Sequence, residues 1–174
     1  MIERRIAAPI GMGAAVFMRT LVLGLGNPLL RDDAVGLHVA RRLQPLLDGA
    51  VDIEVDEDYR GGLRLMERMM GFERAIVVDA ICSGAPPGTV QRLSPDGIPT
   101  QHSASAHDAS LRTALEFGRQ AGARLPSDDR ILLIGIEASD VLSFDESLTP
   151  EVEAAIPGAV HMVLQELHAE RGEP

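Results

Sequence analysis

The sequence predicts an α/β protein, a three-layer sandwich whose mainly parallel central sheet of about five strands carries helices on both faces. Two observations lead to this class. Three continuous apolar runs of strand length, TLVLGLG at 20–26, RAIVVDA at 74–80 and ILLIGI at 131–136, have the pattern of strands buried on both faces. Between them lie segments whose apolar residues recur at helical spacing, the elements needed to cover such strands. The composition agrees: 45% of residues are apolar but only 3% aromatic, so the core must be built from Val, Leu, Ile, Ala and Met.

In chain order, the first run ends in glycines and predicts a buried strand reaching a sharp turn. Val35, Val39, Leu43 and Leu46 then give a helical stripe, with Asp32 and Asp33 ahead of it as candidate N-caps. The alternation of VDIEVDE at 51–57 predicts a less buried strand, and residues 63–70, after two glycines, a short helix with a Leu/Met face. The second buried strand follows. GTVQRL at 88–93 predicts a further strand, succeeded by a polar loop over 94–106. Leu111, Ala114, Leu115, Gly118 and Ala121 mark a third helix, whose start is expected near His107 and Asp108. After the third buried strand, Thr149-Pro150 signals the start of a last helix packing through Val152, Ile156, Val160, Val163 and Leu167, with Pro157 expected to kink or divide it.

At 174 residues one domain is expected, over 19–170. Residues 1–18 have mixed charge and a short, glycine-interrupted apolar stretch, weaker than a signal peptide and too short to span a bilayer. They are expected to be a disordered extension, either a native arm or sequence ahead of a start at Met18, and no membrane association is expected. The formal charge of -10 opposes a phosphate backbone and argues against nucleic acid as a partner. All sixteen basic residues are Arg, which removes P-loop, Schiff-base and Ser-Lys chemistry together. A single cysteine, Cys82, permits no intrachain disulfide and fits the reducing cytoplasm.

In a parallel sheet of this kind ligands bind at the carboxyl ends of the strands. Three polar residues fall there: Asp33 in the turn after the first strand, Asp79 at the end of AIVVD, and His107 at the mouth of the third helix. Two carboxylates and an imidazole can hold a divalent ion such as nickel or zinc and leave positions open. Each has a plainer role as well: a helix cap for Asp33, a bond to loop backbone for Asp79, a solvated loop for His107. His38, His102, His161 and His168 are assigned to structure or solvent, and Cys82 to a small buried hydrophobe. GLGNPL lacks the third glycine of a dinucleotide fingerprint.

Four segments in order, LVLGLGNPLLRDDAVG, VVDAICSGAPPGTV, SAHDASL and LLIGIE followed by LTPEVEAAIP, resemble the hydrogenase maturation proteases of the HybD-like kind over residues 19–167. The resemblance implies a nickel-dependent endopeptidase that removes the C-terminal extension of a [NiFe]-hydrogenase large-subunit precursor after nickel insertion. It implies that Asp33, Asp79 and His107 bind nickel supplied by the precursor and form the catalytic site, in a monomer that meets its substrate transiently. Asp33 stands where some members have Glu, and EDYRGGL at 57–63 departs from the family's Gly-Gly-Thr type of loop. Two other readings remain: a non-catalytic, nickel-sensing assembly chaperone using the same residues, and peptidyl-tRNA hydrolase, whose opening VLGLGNP is shared but whose basic, tRNA-binding character is not. A metal-independent aspartic dyad would make His107 dispensable.

Overall fold

The computed structural model describes residues 18–60, 62–94 and 111–171. The elements run β1 (Thr20–Leu25), α1 (Val35–Leu47), β2 (Ile53–Asp58), α2 (Gly62–Met69), β3 (Arg74–Ile81), β4 (Val90–Leu93), α3 (Leu111–Gln120), β5 (Ile131–Glu137) and α4 (Pro150–Arg171). Five strands form one sheet in the order β2-β1-β3-β5-β4, parallel except for the antiparallel β4–β5 pair. The apolar runs became the three central strands because only those are covered on both faces. The alternating run became edge strand β2, half-buried along most of its length.

Side chains alternate between the two faces of the sheet and divide the core in two. Val22, Ile76, Val78, Ile134 and Ile136 meet α1 and α4, whereas Leu21, Leu23, Val77, Ile81 and Leu133 meet α2 and α3. The α1 layer lies close against β1. A Cβ on Gly36 would overlap the carbonyls of Leu25 and Val78, and one on Gly26, whose φ is +152°, would overlap the carbonyl of Asp33. The glycines of GLG therefore serve helix–strand contact, not a bound pyrophosphate.

Several expectations are corrected. Leu46 is exposed, and the buried side of α1 is Val35, Leu37, Val39, Ala40 and Leu43. Ala121 lies exposed beyond the end of α3, and on α4 Ala159 is fully buried beside Val160, which packs partly buried against the core. Pro157 does not divide α4, which is continuous. Proline removes the partner of the Glu153 carbonyl, but both residues lie on the exposed side, where water can replace it, while Val152, Ile156, Val163 and Leu167 hold the helix down. No helix among the described residues is long and apolar enough to cross a membrane. The expectation of an N-terminal extension falls on residues outside those described, apart from Met18.

Candidate active site

The chain leaves β1 through α1 toward β2 on one side and leaves β3 toward β5 and β4 on the other. The crevice between the carboxyl ends of β1 and β3 is therefore the topological switch point, where ligands bind in such sheets. Asp33 follows β1 and Asp79 lies near the end of β3, the two strands that flank it. Gly24 pairs in register with Val78, so Asp79 sits level with the last residue of β1. The Val78 carbonyl also lies against Gly36, three residues after Asp33. By alternation Asp79 belongs with Val77 and Ile81 to the face covered by α2 and α3. His107 lies outside the described residues.

Asp33 is 5% and Asp79 2% exposed. Carboxylates are rarely buried to this extent without a structural or chemical reason. The Asn27 amide donates to Asp33 Oδ2 at 2.8 Å, and the Ala80 amide donates to Asp79 Oδ1 at 2.8 Å, so backbone groups orient both side chains. Asp33 is not a cap of α1. Residues Asp32–Ala34 form a 3-10 turn, the N-cap of α1 is Ala34, and no side chain bonds there.

Two positioning residues escaped the sequence reading. Asp32, 0% exposed, accepts from the amides of Ser139 and Asp140 at 2.9 Å each, from the Thr149 amide at 2.7 Å and from the Thr149 hydroxyl at 2.9 Å. It clasps the Asp33 turn to the β5–α4 connection. Glu137, also buried, accepts from the Ser83 amide at 3.1 Å, the Ser83 hydroxyl at 2.7 Å and the Gly84 amide at 2.8 Å. It clasps the segment after Asp79 to the end of β5. Sequence offered a faint signal for each: an acid doubled before a helix that needs one cap at most, and an acid ending a run of buried apolar residues.

The same geometry narrows the chemistry. Burial opposes ionisation of Glu137, but the hydrogen bonds from Ser83, Gly84 and Ala85 outweigh it and hold the carboxyl below its ordinary range. A carboxyl held this way is a poorer base toward the Ser83 hydroxyl that donates to it. Cys82 is exposed, not buried as expected, because it lies just past the end of β3 and outside the helix layers. Its thiol is pushed up by partial burial and then by Glu137, Asp33, Asp32 and Asp79, the reverse of what a thiolate nucleophile needs. His38 is half-buried and His161 and His168 are exposed, in keeping with structural or solvated roles. Among the described residues, no group of three or more His, Cys, Asp or Glu is placed to hold a metal. Of the three site residues expected from sequence, Asp33 and Asp79 lie among the described residues and His107 does not.

Comparison with known proteins agrees with this fold. The family model for hydrogenase maturation protease, HycI, matches residues 55–166. The hydrogenase 2 maturation protease of Escherichia coli is 32% identical over 153 residues, covering 86% of this chain and 91% of that protein. The hydrogenase expression/formation protein HupD of Thiocapsa roseopersicina is 29% identical over 84% of this chain, which spans 66% of that relative's length. The solved structure of the hydrogenase maturating endopeptidase HybD from Escherichia coli superposes with a TM-score of 0.72 at 31% identity, over 88% of this chain and 94% of that one.

Proposed function

Because the chain belongs to the hydrogenase maturation protease family, and so to the peptidases, we propose that it removes the C-terminal extension of a [NiFe]-hydrogenase large-subunit precursor once nickel has been inserted. What supports this reading is that two nearly fully buried carboxylates follow the strands that flank the switch point, Asp33 after β1 and Asp79 near the end of β3. Nickel enters as part of the substrate, and Asp33, Asp79 and His107 supply ligands of a type that suits its open side. Recognition then depends on metal insertion, which makes nickel a checkpoint for cleavage. Hydrolysis breaks the C–N bond as water adds to the scissile carbonyl. A site carboxylate would accept the proton of that water and pass it to the departing amine, or the precursor's nickel would activate the water; nickel held by these residues would also supply Lewis-acid polarisation of the carbonyl. In this reading the protein acts in the cytoplasm as a monomer that releases its product.

The test is incubation with cognate large-subunit precursors, with and without inserted nickel, followed by intact mass. Wild type should release one C-terminal peptide only from the nickel-loaded precursor. Asp79→Ala and His107→Ala should each lower the rate by about 100-fold or more. Binding with no mass change across several cognate precursors would replace the protease reading with that of an assembly chaperone. Cleavage that survives chelation and His107→Ala would point to a metal-independent dyad.

A further inference from the structure

The link between β1 and the Asp33 segment is organised around one side chain. Residues 27–30 form a tight turn in which the Leu30 amide donates to the Asn27 carbonyl at 3.1 Å. Asn at its first position and Pro28 at its second are residues that such a turn favours. The Leu29 amide donates to Asn27 Oδ1 at 3.0 Å, so the side chain closes a second ring inside the same turn. The Asn27 amide itself donates to Asp33 Oδ2 at 2.8 Å. Asn27 therefore commits its carbonyl and side-chain oxygen to the turn and its amide to the carboxylate.

A backbone amide is aimed only as well as the peptide plane that carries it. On one side that plane is held by Gly26, whose amide donates to the Asp58 carbonyl at 3.1 Å and whose Cα lies against the Asp33 backbone. On the other, Pro28 keeps Asn27 out of the helical region but leaves it a broad extended one. The bond from Leu29 to the Asn27 side chain narrows that range. The residue type suits the task. Asp would close the same ring but add a charge next to the buried Asp33, and Ser or Thr would close it more weakly. Asn closes it without charge.

We infer that Asn27 is a positioning residue for the reaction: its side chain locks the turn whose amide holds Asp33 Oδ2, and so fixes how the Asp33 carboxylate meets the precursor's nickel. Asn27 acts through Asp33 and touches neither the metal nor the scissile bond. The inference rests on the nickel-dependent protease reading and adds to it a residue, outside the expected ligand set, on which discrimination of the nickel-loaded precursor depends.

Three variants separate turn geometry from amide chemistry. Asn27→Ala removes the acceptor, Asn27→Gln keeps the carboxamide but carries it too far out to close the ring, and Asn27→Ser restores a short acceptor. Hydrogen exchange of the residue 27 amide, followed by NMR in the free protein and corrected for intrinsic rates, reads the bond to Asp33. Exchange should be about tenfold faster in the Ala and Gln variants and within about threefold of wild type in the Ser variant. Cleavage and binding of nickel-loaded and nickel-free precursor read the consequence. The Ala and Gln variants should each lower kcat/KM on the nickel-loaded form about tenfold and shrink the ratio of nickel-free to nickel-loaded Kd by a similar factor, with most of both recovered by Ser. A merely structural loss would weaken both precursor forms alike and leave that ratio unmoved, which would overturn the proposal. Wild-type exchange in the Ala variant would overturn it too, as would a Gln variant that matches wild type, because the carboxamide and not the turn would then matter. If wild type neither cuts nor prefers the nickel-loaded form, the protease reading is what fails. Residue 27 exchange then still decides whether the Asn27 side chain holds Asp33: slow rates in wild type and the Ser variant alone support it, and equal rates in all four proteins overturn it.

Discussion

At the amino ends of β3 and β5 a buried cation meets an anion, whereas at the carboxyl ends buried carboxylates meet amides and hydroxyls. Arg74 donates to the Glu166 carbonyl at 2.9 Å and to its carboxylate at 3.4 Å, and Arg92 reaches the other carboxylate oxygen at 2.9 Å. Two guanidiniums share one carboxylate, so the anion is fully met by cations. Among the described residues, the partners of Asp32 and Glu137 are neutral donors that fix the carboxylates without cancelling their charge. Their negative charge adds to partial burial in pushing the Cys82 thiol up. An ion pair ties structure together, while carboxylates held by amides can also attract a cation.

Breaking the carboxyl-end clasp should have the larger effect on stability. Asp32→Ala leaves buried amides without an acceptor and should cost about 3 kcal/mol or more in urea denaturation. A loss below about 1 kcal/mol would show that the clasp is dispensable. At the other end, Arg74→Ala should cost about 1–3 kcal/mol, because Arg92 still meets Glu166, and precursor cleavage should be unaffected. Reduced turnover in that variant would mean that the two ends of the sheet are coupled.

The acid limb of stability sharpens the comparison. The folded-state pKa of Glu137 is depressed, so its contribution is fully present above the ordinary carboxylate pKa and is lost as pH falls through the depressed folded value. Glu137→Gln should flatten the pH dependence of the denaturation midpoint in that acid window, with little change in slope near neutrality. The smallest effect concerns Cys82. Because its thiol is raised, alkylation by iodoacetamide near pH 8 should run a few-fold slower than for an unstructured cysteine peptide. Asp33→Asn should recover part of that rate, and equal rates in all three would show that the field does not reach the thiol.

Fold and site were legible to different depths. The apolar runs at 20–26, 74–80 and 131–136 predicted the central strands because burial on both faces leaves a mark in every residue of a strand. Asp33 and Asp79 stood out as acids next to such runs. The spacing of Leu46 suggested a core residue, yet it is exposed because Leu47, four residues after buried Leu43, takes the inward position. His107 was selected by its loop and by family resemblance, and it lies outside the described residues.

By itself, the sequence determined the α/β class, the order of elements and the acidic, lysine-free chemistry, because periodicity, capping and composition are local properties of the chain. Only the tertiary structure decided that the order is β2-β1-β3-β5-β4, which places the crevice between β1 and β3. It also decided that Asp32 is a clasp and not a cap. The partners of Asp32 lie 107 to 117 residues away, and no local pattern can record a bond closed across that distance.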